Sequence, residues 1–309
     1  MTAPDRFLPE GARSARSTAV GVSVDPGSTA TLLLSCPDRA GIVAAVADFV
    51  YRHGGNIIHA DQHTDAQEGI FFQRVEFSLT GLTLAREDLP SAFDEIAVDF
   101  GMQAHVHFSD ERPRLALMVS REPHCMYDLL GRWRSGELAV DIPLVIGNHD
   151  DHVDAAAHFG VTHHHLPVTA GTKAEQERSV LALLREHDID LVVLARYMQI
   201  LSPGFVAEHR QRIINIHHSF LPAFVGSRPY HQAHQRGVKI VGVTAHYVTA
   251  DLDQGPIIDQ DIVRVNHRDD VQDLIRKGRD LEKVVLARAV LAHVQHRVLV
   301  YGNKTVVFG

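Results

Sequence analysis

Asn215, His217 and Asp253 are the residues whose types fit chemistry at an acyl carbon. Such chemistry needs a donor for a developing oxyanion, a group that handles a proton near neutral pH, and a carboxylate that orients or activates the nucleophile. An amide, an imidazole and a carboxylate supply these three. Asn215 and His217 stand two residues apart in Ile213-Ile214-Asn215-Ile216-His217, an alternating run that places both on one face of a strand. Asp253 follows the asparagine by 38 residues (253 − 215), in the turn-rich loop Thr249-Ala250-Asp251-Leu252-Asp253-Gln254-Gly255. Polar residues at strand ends also serve as caps, so spacing by itself leaves a structural role open.

The elements that must position these residues run from Ile213 to Asp261. Ser219-Phe220-Leu221-Pro222 and Gly226-Ser227-Arg228-Pro229 break regular structure, and Pro229 is placed to open a helix through His231 and Gln235. A second strand, Lys239 to Val248, leads into the Asp253 loop. Upstream, strands at Arg114–Ser120, Ile142–Ile146, Thr162–Leu166 and Leu191–Ala195 alternate with helices at about Cys125–Arg134, Val153–Phe159 and Lys173–Glu186. That alternation implies a doubly wound, mainly parallel sheet covered on both faces, with ligands outside the carboxyl ends of its strands. A long helix over about Val271–Arg297 and a hairpin of Val298–Tyr301 with Lys304–Phe308 close the chain.

The first third reads differently. Strand Thr29–Cys36, a helix with Ile42, Val43, Val46, Phe49 and Val50 on its inner face, a hairpin of Ile57–Thr64 with Ile70–Leu79, a helix over about Ala85–Phe100 and strand Gln103–Phe108 make a βαββαβ unit. Fold class is therefore α/β, an α+β unit followed by the larger doubly wound sheet. The expected divisions are a flexible tail over residues 1–27, the α+β unit over 28–109, a polar linker over 110–113 and the larger domain over 114–309.

Composition bounds the function. The 309 residues are 45% hydrophobic and 22% charged, ordinary for a globular chain with room for two domains. A formal net charge of −8 without any basic run argues against nucleic acid as partner, and no apolar run reaches membrane-span length. Two cysteines, Cys36 and Cys125, are too few for a disulfide framework and fit a reducing cytoplasm. Cys125, at a helix start, has no dedicated base to make it a nucleophile. The run His163-His164-His165 alternates faces and reads as a strand end with exposed imidazoles. His217, His218, His234 and His246 crowd the Asp253 region, but Asn215 is a poor ligand beside them, so no catalytic metal is expected.

Two resemblances extend this reading. Cys36-Pro37-Asp38-Arg39-Ala40-Gly41-Ile42-Val43, followed by Gly55-Asn56-Ile57, resembles an ACT domain, a ligand-sensing module that commonly pairs its sheets between subunits. Locally, Gly41 and Asn56 read as turn and cap residues. Asn215-Ile216-His217, Ser219, Leu221-Pro222, His246-Tyr247-Val248 and Leu252-Asp253-Gln254-Gly255-Pro256-Ile257 resemble the signature of the folate-dependent formyltransferase fold. The resemblance implies that Asn215, His217 and Asp253 are catalytic at N10-formyltetrahydrofolate, with His246 in support. Leu194 to Ser202 reads by itself as a strand end entering a helix capped by Ser202. In the family that segment lines the pterin pocket, which makes Met198, Gln199, Ile200 and Leu201 substrate-binding candidates.

Glycinamide ribonucleotide transformylases follow their first strand with a Gly-Ser-Asn type loop that holds the acceptor's phosphate at a helix start. Here that stretch is Ser120-Arg121-Glu122-Pro123-His124-Cys125, without glycine and with an acid, so an acceptor phosphate is not expected there. With the ACT-like unit, His124-Cys125, Asn148-His149, Ala195-Arg196-Tyr197-Met198-Gln199 and Phe224-Val225-Gly226-Ser227-Arg228-Pro229-Tyr230, the chain resembles the formyltetrahydrofolate deformylase family; Ser227 departs from an expected alanine. The resemblance implies hydrolysis of 10-formyltetrahydrofolate to tetrahydrofolate and formate by a cytoplasmic homo-oligomer in one-carbon metabolism and purine biosynthesis, without cofactor or metal. It also implies regulation by small amino acids such as glycine and methionine near Asp38, Arg39, Gly41 and Asn56. Transfer of the formyl group to an amine acceptor, and a non-catalytic folate or amino-acid sensor, remain open alternatives.

Overall fold

A run buried without a break from Ala30 to Leu34, between Thr29 and Pro37, forms the centre of the first sheet. A computed structural model describes residues 27–222 and 229–309. The tail expected over residues 1–27, apart from Gly27, lies outside them, as do the turn at Gly226-Ser227-Arg228 and the Ser227 departure. In chain order the first unit is β1 (Thr29–Pro37), α1 (Ile42–Arg52), β2 (Asn56–Asp65), β3 (Ile70–Ser78), α2 (Leu89–Phe100) and β4 (Gln103–Phe108). The strands make an antiparallel sheet ordered β2-β3-β1-β4. Ile42, Val46, Phe49 and Val50 pack α1 onto it with Leu32, Leu34, Val75 and Phe77, whereas Val43 points to solvent. The expected helix at 85–100 begins with a separate 3-10 turn at Arg86–Asp88, because Pro90 sits in the first turn of α2.

The larger unit continues with β5 (Arg114–Val119), α3 (His124–Arg134), β6 (Asp141–Gly147), α4 (Val153–His158), β7 (Thr162–His165), α5 (Lys173–Glu186), β8 (Leu191–Ala195), α6 (Pro203–Glu208), β9 (Ile213–His217), α7 (Pro229–Arg236), β10 (Ile240–Tyr247), β11 (Ile257–Arg264) and α8 (Val271–Val294). Seven strands are ordered β11-β10-β9-β8-β5-β6-β7, with β10 running against its two neighbours and the other pairs parallel. Both faces are covered. Leu115, Leu117 and Val119 of β5 enter one core with α3 and α8, and Ala116 and Met118 enter the other with α5 and α6. Burial on both faces is why β5 and β8 read as unbroken apolar runs. Each Leu, Val or Met among them contributes about 1.5–3 kcal/mol relative to exposure.

Three local expectations are corrected. β11 has no counterpart in the sequence reading, because Asp259 and Asp261 interrupt its apolar pattern. At the sheet edge both carboxylates pair with Arg288 of α8, at 2.6 and 3.0 Å. The long helix ends at Val294, earlier than Arg297. His163 and His164 are half-buried rather than exposed, and their Nε2 atoms lie out of reach of water.

β12 (Val298–Tyr301) and β13 (Lys304–Val307) form the terminal hairpin. It packs on the first sheet, where Phe308 joins Leu33 and Phe72, and the Tyr301 hydroxyl donates to Asp65 at 3.0 Å. No helix among the described residues is long and apolar enough to cross a membrane.

Candidate active site

The site lies where β8, β9 and β10 end. β8 and β9 run parallel with Leu194 beside Asn215, so Arg196 and His217 come two residues further along each chain. On the other side, antiparallel β10 sets His246 opposite Asn215 and Thr244 opposite His217. Ile214 and Ile216 point into the core beneath α8, which turns Asn215 and His217 to the opposite face of β9.

The Asp253 loop closes over that face. Asp253 holds a left-handed backbone at φ 56°, a conformation that the surrounding structure must enforce. Two residues on, Gly255 passes so close to the chain that a Cβ there would stand 1.7 Å from the Tyr247 carbonyl oxygen. Only glycine fits, and the Tyr247 amide donates to the Pro256 carbonyl at 2.9 Å to hold the crossing.

The three sequence-derived residues and His246 are brought together. Asp253 Oδ1 lies 3.3 Å from His217 Nδ1 and 3.7 Å from His246 Nε2. His246 Nδ1 donates to the Tyr247 carbonyl at 2.9 Å, which leaves its Nε2 to accept from the Asn215 amide at 3.2 Å. Asn215 thus keeps a second amide hydrogen for a ligand. Burial acts to raise the Asp253 carboxyl, but opposing contacts, the largest of them with His217, outweigh it and hold the group well below the usual carboxylate range. His217 Nε2 is buried without a hydrogen-bond partner among the described residues.

These groups line a cavity of about 330 Å³, within the size range of small-molecule sites. Met198, Gln199, Ile200, Leu201 and His246 line it too. Met198, Ile200 and Leu252 are large apolar side chains left more than half exposed on its wall, an arrangement that a flat apolar ligand would cover. Ser202 caps the following helix, accepting from the Phe205 amide at 3.2 Å.

Behind the cavity lies a buried cluster that sequence reasoning did not assign. Glu282 of α8, 1% exposed, accepts from the Tyr230 hydroxyl at 2.8 Å, contacts His124 Nε2 at 2.7 Å and lies 3.4 Å from Arg196 Nε. Burial works to raise its carboxyl; the His124 hydrogen bond and the Arg196 charge prevail and hold it low. The signal was available, since Glu282 shares the buried face of α8 with Gly278, Val285, Leu286 and Ala289, where a carboxylate must be paired. Gly278 makes room for it, as a Cβ there would sit 2.0 Å from the Tyr230 hydroxyl oxygen.

The loop before α3 carries no anion site of the glycine type. Glu122 pairs with Arg279 at 2.6 Å, and no glycine opens the start of α3. Cys125 is fully buried, and burial pushes its thiol well above the ordinary value, so it is no nucleophile. His124, Cys125 and Glu282 are the group of ligand atoms close enough to hold an ion among the described residues. The Arg196 guanidinium beside Glu282 opposes a cation there. His234 is exposed on α7 and does not line the cavity.

The effector candidates do not converge within one chain. Asp38, Arg39 and Gly41 lie at the Pro37–Ile70 end of the first sheet, with the Asp38 amide donating to Gly69 at 2.8 Å and Arg39 4.0 Å above the Phe100 ring. Asn56 pairs with Ser78 at the opposite end. At ~3.3 Å per residue along β1, the two ends are roughly 26 Å apart.

A formyl transferase family model matches residues 113–290, and an ACT domain model matches residues 30–97. A formyltetrahydrofolate deformylase from Synechocystis sp. is 60% identical over 280 residues, 91% of this chain and 98% of that protein. The Bacillus subtilis enzyme of the same name is 48% identical, covering 90% of this chain and 93% of its own. The crystal structure of a formyltetrahydrofolate deformylase from Pseudomonas syringae superposes with a TM-score of 0.89 at 48% identity, over 91% of this chain and 95% of that one. Identity at this level over nearly the whole length, with both domain models matched in order, means that the chain belongs to the formyltetrahydrofolate deformylase family.

Proposed function

We propose that this chain hydrolyses 10-formyltetrahydrofolate to tetrahydrofolate and formate. The contact of Asp253 with His217, beside the Asn215–His246 pair on the wall of a ligand-sized cavity, carries this reading. Asn215 donates to the formyl oxygen, and His217 stabilises the tetrahedral oxyanion and takes part in proton transfer. Asp253 positions the attacking water and helps return a proton to N10 as it leaves. Met198, Gln199, Ile200 and Leu201 hold the pterin with the support of His246. No cofactor or metal takes part.

Water rather than a phosphate-bearing amine is the acceptor, because the stretch before α3 has no glycine to open backbone donors to a phosphate and is filled instead by Glu122 paired with Arg279. Purified protein given 10-formyltetrahydrofolate with water alone is expected to release formate, with or without excess chelator. Turnover only after addition of an amine would select the transferase, and binding without turnover the sensor.

The N-terminal unit regulates the activity through small amino acids, with glycine and methionine the candidates. β2 is a ten-residue edge strand, mostly exposed, and such an edge invites pairing. Antiparallel pairing of two copies along β2 would bring Asn56 of one chain towards the Asp38–Gly41 turn of the other, so the effector pocket belongs to a homo-oligomer. Glycine or methionine is expected to shift turnover in titration, with the response lost in Asn56→Asp. Flat titration curves would remove the sensor role.

A further inference from the structure

Hydrolysis and transfer differ in the charge of what they make. Transfer of a formyl group to an amine gives an uncharged amide. Hydrolysis, the reading on which this inference rests, gives a carboxylate, and the cavity wall is already acidic. Asp251 and Asp253 both line it, and Asp253 is held ionised. An anion formed there is repelled unless a cation receives it.

Arg196 is the one Lys or Arg among the described residues that line the cavity. Two features show that its side chain is held there by design. Its backbone is left-handed, with φ 64°, at the end of β8, a strained conformation for a long side chain that the fold imposes. Its guanidinium is largely buried, with Nε 3.4 Å from Glu282 and beyond good hydrogen-bond geometry. Glu282 in turn is fixed by His124 and Tyr230. The two terminal nitrogens of Arg196 make no hydrogen bond to any described residue. The arginine is thus held by its buried stem and by the charge of Glu282, while the fork that grips a carboxylate is left unused.

The β8–β9 register ends with Leu194 beside Asn215, so Arg196 and His217 both follow at the same end of the pair, and both line the cavity. His218, the next imidazole along the wall, cannot substitute as a cation. Burial and the Arg196 charge lower it to about 4, so it is neutral at physiological pH.

We infer that Arg196 receives the formate produced at this site, its two terminal nitrogens binding the carboxylate as it forms. The water oxygen bonds to the formyl carbon and the bond from that carbon to N10 breaks. One water proton passes to N10 and the other is lost to solvent, so that formate leaves as the anion paired with Arg196. Glu282 is the positioning residue that aims the guanidinium.

Formate and formamide, which share shape and differ in charge, are the probes. Formate is expected to inhibit turnover of the wild-type chain at least tenfold more strongly than formamide. Arg196→Met should raise the formate inhibition constant at least tenfold and leave that of formamide unchanged; Arg196→Lys, which keeps the charge but not the fork, should fall between. A structural defect would not separate the two probes. Equal sensitivity of the wild type to both, or an unchanged formate constant in Arg196→Met, would overturn the inference. If Arg196→Met does not fold, the wild-type comparison and Arg196→Lys decide it. Absence of any formate release from the wild type would instead sink the hydrolytic reading itself.

Discussion

Asp253→Asn is expected to fold and to lose formate release by roughly 10²–10⁴-fold, the range associated with loss of a positioned proton-transfer group. The substitution keeps the size of the side chain and its left-handed backbone, since Asn tolerates that region about as well as Asp. What it removes is the negative charge 3.3 Å from His217 and 3.7 Å from His246. KM should change little, because the apolar wall from Met198 to Leu201 is untouched. A stopped assay of kcat and KM, with a thermal melt of the same sample, checks both halves. The folded carboxyl is held below its unfolded value, so its contribution to stability is present above about pH 4 and lost as pH falls through the folded value. The Asn variant should therefore melt slightly below the wild type at pH 7, with the gap narrowing in acid. Turnover near that of the wild type would remove Asp253 from the catalytic set.

Glu282→Leu is expected to have the largest effect on stability, about 3–5 kcal/mol, the range for removing one partner from a buried ionic cluster. Leucine fills the space but leaves the Tyr230 hydroxyl and His124 Nε2 without their shared acceptor, and the Arg196 guanidinium without its counter-charge, in a region closed to water. For a chain of this size that is a fall in melting temperature on the order of ten degrees. Glu282→Gln, which can still accept from Tyr230, should lose less. The sign with pH follows from burial and its opponents. Burial would raise this carboxyl, the His124 and Arg196 contacts hold it low, and its stabilising contribution is complete above the unfolded value and lost on acidification. A melting temperature for Glu282→Leu within a degree or two of wild type would contradict the arrangement around α8.

The elements around the site were legible in the residues because the relevant periodicities are local. Alternation in Ile213–His217 put Asn215 and His217 on one face, and the turn formers from Thr249 to Gly255 put Asp253 in a loop. The length of the chain gap between them, however, says nothing of the 3.3 Å contact, which depends on β10 running antiparallel beside β9. The same holds for Glu282. Its position on the apolar face of α8 marks it as paired, but the partners come from the first residue of α3, the end of β8 and the start of α7, three places that no sequence period connects. β11 escaped for the opposite reason. Its aspartates look like loop residues until Arg288 is placed against them at the sheet edge. The separation of Asn56 from Asp38 likewise needs the strand register, which reverses which end of β2 lies near the first turn.

One measurement bears most directly on the central claim that water is the nucleophile at the Asn215, His217 and Asp253 site. Turnover of 10-formyltetrahydrofolate by the purified chain in ¹⁸O-enriched water, with no amine present, reads out the origin of the new formate oxygen by mass. Hydrolysis at this site requires one ¹⁸O in each formate, formed in step with tetrahydrofolate and lost together with it in Asp253→Asn. Unlabelled formate, or tetrahydrofolate released only when an amine is added and without formate, would contradict it.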